Sequence, residues 1–282
     1  MSTTVLEPRT ALDLSSARAL PHISFGRVVR SEWIKQRSLR STWITLGLLL
    51  VCIVGFGLLA AWVTGHQPAG SSSGGPGDGA SDPVAVVLAG AQFGVLLIAV
   101  LGVLVGAREY SSGMIRATLA AVPKRWPALI GKLIVFVGLT VPVVVGGVLV
   151  AFAGGTALLT SAGVASTTWG GTGVLPALLG TSGYLLGIGV LGVALGALFR
   201  GIAAGLGVLI GGVIFLPALL LTLLPSSWGA VLKYLPSNAG LAFTGTTQDP
   251  ALLGQAAGVV VFVAWIVLAV VGALVALMRR DA

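Results

Sequence analysis

Residues 174–224 read VLPALLGTSGYLLGIGVLGVALGALFRGIAAGLGVLIGGVIFLPALLLTLL, and Arg200 is the one ionisable group other than tyrosine in the whole stretch. As one helix, it would run about two and a half times the ~30 Å thickness of a bilayer core, at ~1.5 Å per residue. Two spans joined by a tight turn at Arg200-Gly201 fit instead. Working outward, Thr42 to Thr64, Pro83 to Ala107, Leu133 to Leu159 and Ala251 to Met278 are likewise free of Asp, Glu, Lys, Arg and His. Together with Val174 to Phe199 and Gly201 to Leu224 they make six segments, each longer than the ~20 apolar residues a crossing needs. The expected fold is an all-α integral membrane protein with six transmembrane helices.

The composition says the same. Of 282 residues, 56% are hydrophobic and 9% charged, with a mean hydropathy of +1.04, against about 25% charged in soluble domains. Every charge lies between or beyond the spans, which leaves no room for a sizeable water-soluble catalytic domain. The net charge of +8 reflects orientation, not nucleic acid. With the N-terminus inside, fifteen basic residues fall on inner segments and only Lys233 on an outer one, the positive-inside pattern. Both termini are expected in the cytoplasm and the chain in the plasma membrane. Met1 to Leu20 has no apolar h-region, so the first span is expected to act as its own insertion signal.

Residues 1–22 read as a disordered cytoplasmic tail, 23–41 as an interfacial helix, and 42–282 as the six-span domain. In the interfacial segment Phe25, Val28, Val29 and Trp33 share one arc at 100° per residue, and Arg27, Arg30 and Arg37 the opposite one. Glu32 and Ile34 break the pattern, and Lys35 and Arg40 complete a basic flank. Such a helix is expected in the cytoplasmic interface, its arginines drawn to anionic lipid. The plainer reading is a positive-inside flank of the first span. The inner loop Arg108 to Lys132 is the longest on that side, with a short helix capped by Ser111 or Ser112 and stopped by Pro123. The outer loop Pro225 to Pro250 is too apolar to hang free and is expected to re-enter as a short helical hairpin.

Chemistry is tested by elimination. Gly180-Thr181-Ser182-Gly183 matches the pattern around the nucleophile of rhomboid-type intramembrane proteases. That mechanism needs a histidine base, and the two histidines, His22 and His66, lie in the tail and the first outer loop. Ser182 reads as a packing residue. Cys52 is the single cysteine, so no intrachain disulfide forms. There is no GxxxxGK[ST] loop. No metal or cofactor site is expected on this chain, which reads as non-catalytic. No span carries the ionisable residues that ion-coupled transporters keep; Gln92, Thr140, Tyr184 and Gln255 read as interhelical hydrogen bonds. Gly-xxx-Gly pairs gather between Gly183 and Gly211, from which close packing of the fourth and fifth spans is expected. Trp265, alone at mid-span, reads as a packing residue.

The stretch Val29-Arg30-Ser31-Glu32-Trp33-Ile34-Lys35-Gln36-Arg37-Ser38-Leu39-Arg40-Ser41-Thr42-Trp43 resembles the start of ABC-2 type transporter permeases, particularly actinobacterial ones. So does the loop Glu109-Tyr110-Ser111-Ser112-Gly113-Met114-Ile115-Arg116-Ala117-Thr118-Leu119, followed by Pro123-Lys124-Arg125. Tyr234 to Gly240 is a weaker echo. The resemblance implies a permease that pairs with a second six-span chain and with separate ATP-binding subunits, which hold the ATP and Mg, and that acts in export. It makes residues 25–40 a connecting helix and 109–122 a coupling helix. The docking residues would be Glu109, Tyr110, Gly113, Met114, Ile115, Arg116, Leu119, Pro123 and Arg125, with Met114, Ile115 and Leu119 as the apolar stripe. Glu109 is expected to pair with an arginine of an adjacent turn. The competing function is a passive channel or scaffold without an ATPase partner.

Overall fold

The computed structural model describes residues 24–67, 82–111, 113–114 and 126–279. Every regular element among them is helical: α1 Phe25–Ser38, α2 Arg40–Gly65, α3 Pro83–Val87, α4 Gly90–Ser111, α5 Trp126–Ser161, α6 Val174–Phe199, α7 Ile202–Leu223, α8 Gly229–Leu232, α9 Pro236–Leu241 and α10 Gln255–Arg279. Six of these, α2, α4, α5, α6, α7 and α10, are long and apolar enough to cross a membrane. This is the architecture of a multi-pass membrane protein.

Boundaries differ from the charge-free segments where local packing overrides hydropathy. The second segment breaks after Val87 because Gly90 presses on the α2 backbone, where an added Cβ would lie 2.2 Å from the Ile53 carbonyl oxygen. Pro83–Val87 becomes a separate entry helix, its N-terminus capped by Asp82, which accepts from the Val84 amide at 3.0 Å. The third begins seven residues earlier than its apolar segment, at Trp126, and runs 36 residues through Pro142. The last starts at Gln255.

The core is built around α6, the most buried of the six, with α7 and α10 the least. Its principal neighbour is α4, not α7 as the glycine pairs led us to expect. The reason is that both helices carry glycine where they cross. A Cβ at Gly102 would come 2.2 Å from the Gly189 carbonyl oxygen and one at Gly106 2.2 Å from that of Val193, while one at Gly192 would lie 2.9 Å from the Ala99 carbonyl oxygen and one at Gly196 2.7 Å from that of Val103. Backbones this near exclude side chains and gain dispersion contacts along the seam. In α7 only Gly205 meets α6, at Gly196; Gly207, Gly211 and Gly212 have open space beside them. The turn between α6 and α7 is tight as expected, with Arg200 in the left-handed region at φ 55°. The middle of α7, Gly207–Phe215, is wound as a π-helix.

Opposite the end that carries Arg40, Arg108, Lys132 and Arg200, the segment between α7 and α10 folds back as the short helices α8 and α9. Residues 236–240 of α9 are buried. Gly240 lies on the Tyr184 ring, where a Cβ would be 2.3 Å from it, and Tyr184 is ten residues, or ~15 Å, along α6 from its start. The Trp265 indole does more than pack: its Nε1 donates to the Tyr234 carbonyl at 2.9 Å and ties this segment to α10. Thr140 donates to Phe136 of its own helix at 2.8 Å, so the expected interhelical bond is replaced by a local one.

Candidate functional site

At the basic end, three helices bring four charged side chains together. α1 ends at Leu39, whose extended backbone (φ −83°, ψ 113°) turns the chain directly into α2. This lays α1 across the first turns of α5. Phe25 stacks on Trp126 with ring centroids 6.0 Å apart, Val28 and Val29 close over Gly131, and Gln36 Nε2 donates to the Lys132 carbonyl at 3.4 Å. The buried face of α1 is Val28, Glu32 and Gln36. That corrects the sequence reading, in which Glu32 interrupted an apolar arc of Phe25, Val28, Val29 and Trp33. Glu32 is the centre of the packed face, and Trp33 lies at its edge.

Glu32 is 2% exposed, Glu109 6% and Lys132 7%, with Lys35 half-buried beside them. The four form a closed ring of alternating sign. Lys35 Nζ lies 2.8 Å from Glu32 Oε1 and 2.6 Å from Glu109 Oε1; Lys132 Nζ lies 3.2 Å from Glu32 Oε2 and 2.9 Å from Glu109 Oε1. Each carboxylate thus meets two ammonium groups, the condition under which charges tolerate burial. Burial works against the charge on Lys35, but hydrogen bonds and attraction from Glu109 and Glu32 outweigh it, and its pKa is raised above the ordinary value.

Glu109 thus meets lysines 74 and 23 residues away in sequence; Arg116, an arginine expected to pair with it, lies outside the described residues. Around the ring, Arg108 Nη2 donates to Ser41 Oγ at 3.0 Å, the Trp43 indole donates to the Arg37 carbonyl at 2.9 Å, and Arg200 sits over the Tyr110 ring at 5.5 Å. The last turn of α4 is thereby pinned to α1, α2 and the α6–α7 turn. Lys132 escaped the sequence reading of this site. Its one signal was its position as the last charge before an apolar segment, which also describes any membrane flank. The Glu32 to Lys35 spacing of three residues was a stronger hint, since it places both on one helical face.

Of the other residues assigned to partner docking, Gly113 adopts φ +71°, the left-handed conformation that ends a helix, and Met114 is exposed. Ile115, Arg116, Leu119, Pro123 and Arg125 lie outside the described residues, as does the short helix expected to run to Val122. Arg30, Arg37 and Arg40 are exposed and Val29 partly buried. The Ser182 hydroxyl donates to Leu178 one turn back at 2.8 Å. No group of three or more His, Cys, Asp or Glu side chains that would hold a metal occurs among the described residues. Comparison with family models and with curated proteins returns no match.

Proposed function

We propose that this chain is the membrane-spanning permease subunit of an ATP-driven transporter of the ABC-2 type, an exporter of hydrophobic or amphipathic substrates. In this reading a second six-span chain completes the pathway and separate subunits bind and hydrolyse ATP with Mg. The basic end and both termini face the cytoplasm of the cell membrane. The observation that carries the proposal is the four-charge ring. It clamps together the two ends of the loop 112–125, at Glu109 and Lys132, and adds the helix that leads into the first span. A partner pushing on that loop moves α1, α4 and α5 as a unit. α4 in turn is locked to α6 through their shared glycine seam, so the displacement reaches the core. A buried ion cluster at the base of a loop holds the loop's two ends in one geometry, which supports reading the loop as one that transmits force.

The test is to tag the C-terminus, extract the protein from its native membrane in mild detergent, and identify what co-purifies in stoichiometric amount. The expected result is an ATP-binding subunit that is lost when Gly113 to Arg116 is replaced by a Gly/Ser linker. Recovery of the folded chain alone overturns the proposal in favour of a passive channel or scaffold.

A further inference from the structure

Once α1 has packed on α5, its remaining face has an unusual make-up. At 100° per residue, Trp33, Arg37, Arg30, Ile34 and Arg27 fall within about 120° of arc, and all five are exposed. Ile34, at 59% exposure, and Trp33, at 39%, lie among the three arginines. None of Arg27, Arg30 and Arg37 has an acidic partner among the described residues. The only acid on α1, Glu32, is turned inward and already shared by Lys35 and Lys132.

Its position fixes what this face meets. Leu39 alone separates α1 from α2, whose residues from Thr42 onward carry no charge as far as Thr64. On the α5 side the Trp33 ring reaches Gly138, 3.9 Å from where its Cβ would be. Gly138 is six residues, or ~9 Å, further into the apolar helix than Lys132. The exposed face of α1 therefore lies at the level where the apolar spans begin. A helix tied at that level to two apolar spans has its free side in the headgroup layer.

We infer that this face of α1 is a binding surface for anionic phospholipid headgroups. Guanidinium groups make paired hydrogen bonds to phosphate oxygens, and Arg27, Arg30 and Arg37 present three of them unpaired. Trp33 and Ile34 sit between them at the depth of the acyl boundary, as in interfacial helices. An acidic protein surface would match the charges, but the level of this face, where two apolar spans begin and Ile34 is 59% exposed among the arginines, favours lipid headgroups. The inference goes beyond the transport reading and stands without it, since it needs only that the apolar helices lie in a bilayer.

The experiment uses the tagged full-length protein in mild detergent, titrated with phosphatidylglycerol or phosphatidylcholine, with bound lipids counted by native mass spectrometry. The wild type is expected to retain phosphatidylglycerol over phosphatidylcholine at low salt, with the preference shrinking as salt rises. The triple variant Arg27→Gln/Arg30→Gln/Arg37→Gln is expected to lose most of that preference, on the order of a hundredfold if each arginine contributes about fivefold. Arg27→Lys/Arg30→Lys/Arg37→Lys keeps the charge and is expected to keep most of it. Equal retention of the two lipids by the wild type, or unchanged retention by the glutamine variant, overturns the inference. So does loss of a co-purifying protein with lipid binding intact, which would give the face to a protein partner. If the glutamine variant fails to fold, the wild-type preference, its salt dependence and the lysine variant decide.

Discussion

Glu109 shows how much one carboxylate at a helix end can organise. It accepts from Lys35 and Lys132 through the same oxygen, so removing its charge leaves two buried or half-buried ammonium groups with only Glu32 to share. Breaking a buried ion pair from one side costs roughly 3–5 kcal/mol, whereas replacing both partners by apolar groups is often neutral. Glu109→Gln is therefore expected to lower the thermal unfolding midpoint of the detergent-solubilised protein. The double variant Glu109→Leu/Lys132→Leu is expected to lose less than the sum of the two single leucine variants. Simple additivity across that cycle would mean that the two groups do not interact in the folded protein. Ser182 stands at the other extreme. Its hydroxyl bonds to its own helix, and the local sequence around it, however suggestive of a nucleophile, is explained by that bond and by the small size of its neighbours.

Among the helices, similar sequences pack to different ends. α6 and α7 are both glycine-rich, yet α6 is the best-buried of the six spans and α7 among the least. The difference lies in the partner, since α4 offers Gly102 and Gly106 opposite Gly189 and Val193, whereas Gly207, Gly211 and Gly212 in the middle of α7 face open space and Leu209 alone is buried in that stretch. Gly106→Ala places a methyl group 2.2 Å from the Val193 carbonyl oxygen, and α4 and α6 must separate to admit it. Gly211→Ala adds a methyl group in open space and relieves some of the entropy glycine loses in a helix, by roughly 0.5–1 kcal/mol. The first is expected to lower the unfolding midpoint and the second to leave it unchanged or raise it. The same result for both would mean that α4 and α6 do not meet where described. The periodicity that marked these glycines is equal in the two helices, which is why it pointed to the wrong pairing.

For the whole molecule, six apolar helices that each cross once would leave the residues before α2 and after α10 on one side of whatever bilayer holds the chain. In the proposed orientation that side is the cytoplasm, the side that the Lys/Arg distribution favours. A protease-sensitive tag at either end is expected to be cut in inside-out vesicles and protected in right-side-out ones, and a tag between Gly65 and Asp82 to behave oppositely. A tag at one terminus that disagrees with the other would remove one of the six crossings. The free surfaces of α7 and α10 are almost wholly apolar, so the folded chain presents a broad hydrophobic girdle and a compact charged end.

Hydropathy fixed the number and approximate limits of the spans, because crossing a bilayer is a demand on each segment alone: about twenty apolar residues with their backbone groups bonded internally. The helix before the first span was legible for the same reason, from its own periodicity. What a segment does alone says little about what it touches. Glu32, Lys35, Glu109 and Lys132 come from three separate elements, and each by itself reads as an ordinary membrane flank. Only the fold places α1 across α5 and makes a ring of them, since charges too costly to bury singly are stable once they close on one another. The pairing of α4 with α6, and the reach of α9 toward Tyr184, were likewise decided by the fit of one surface to another.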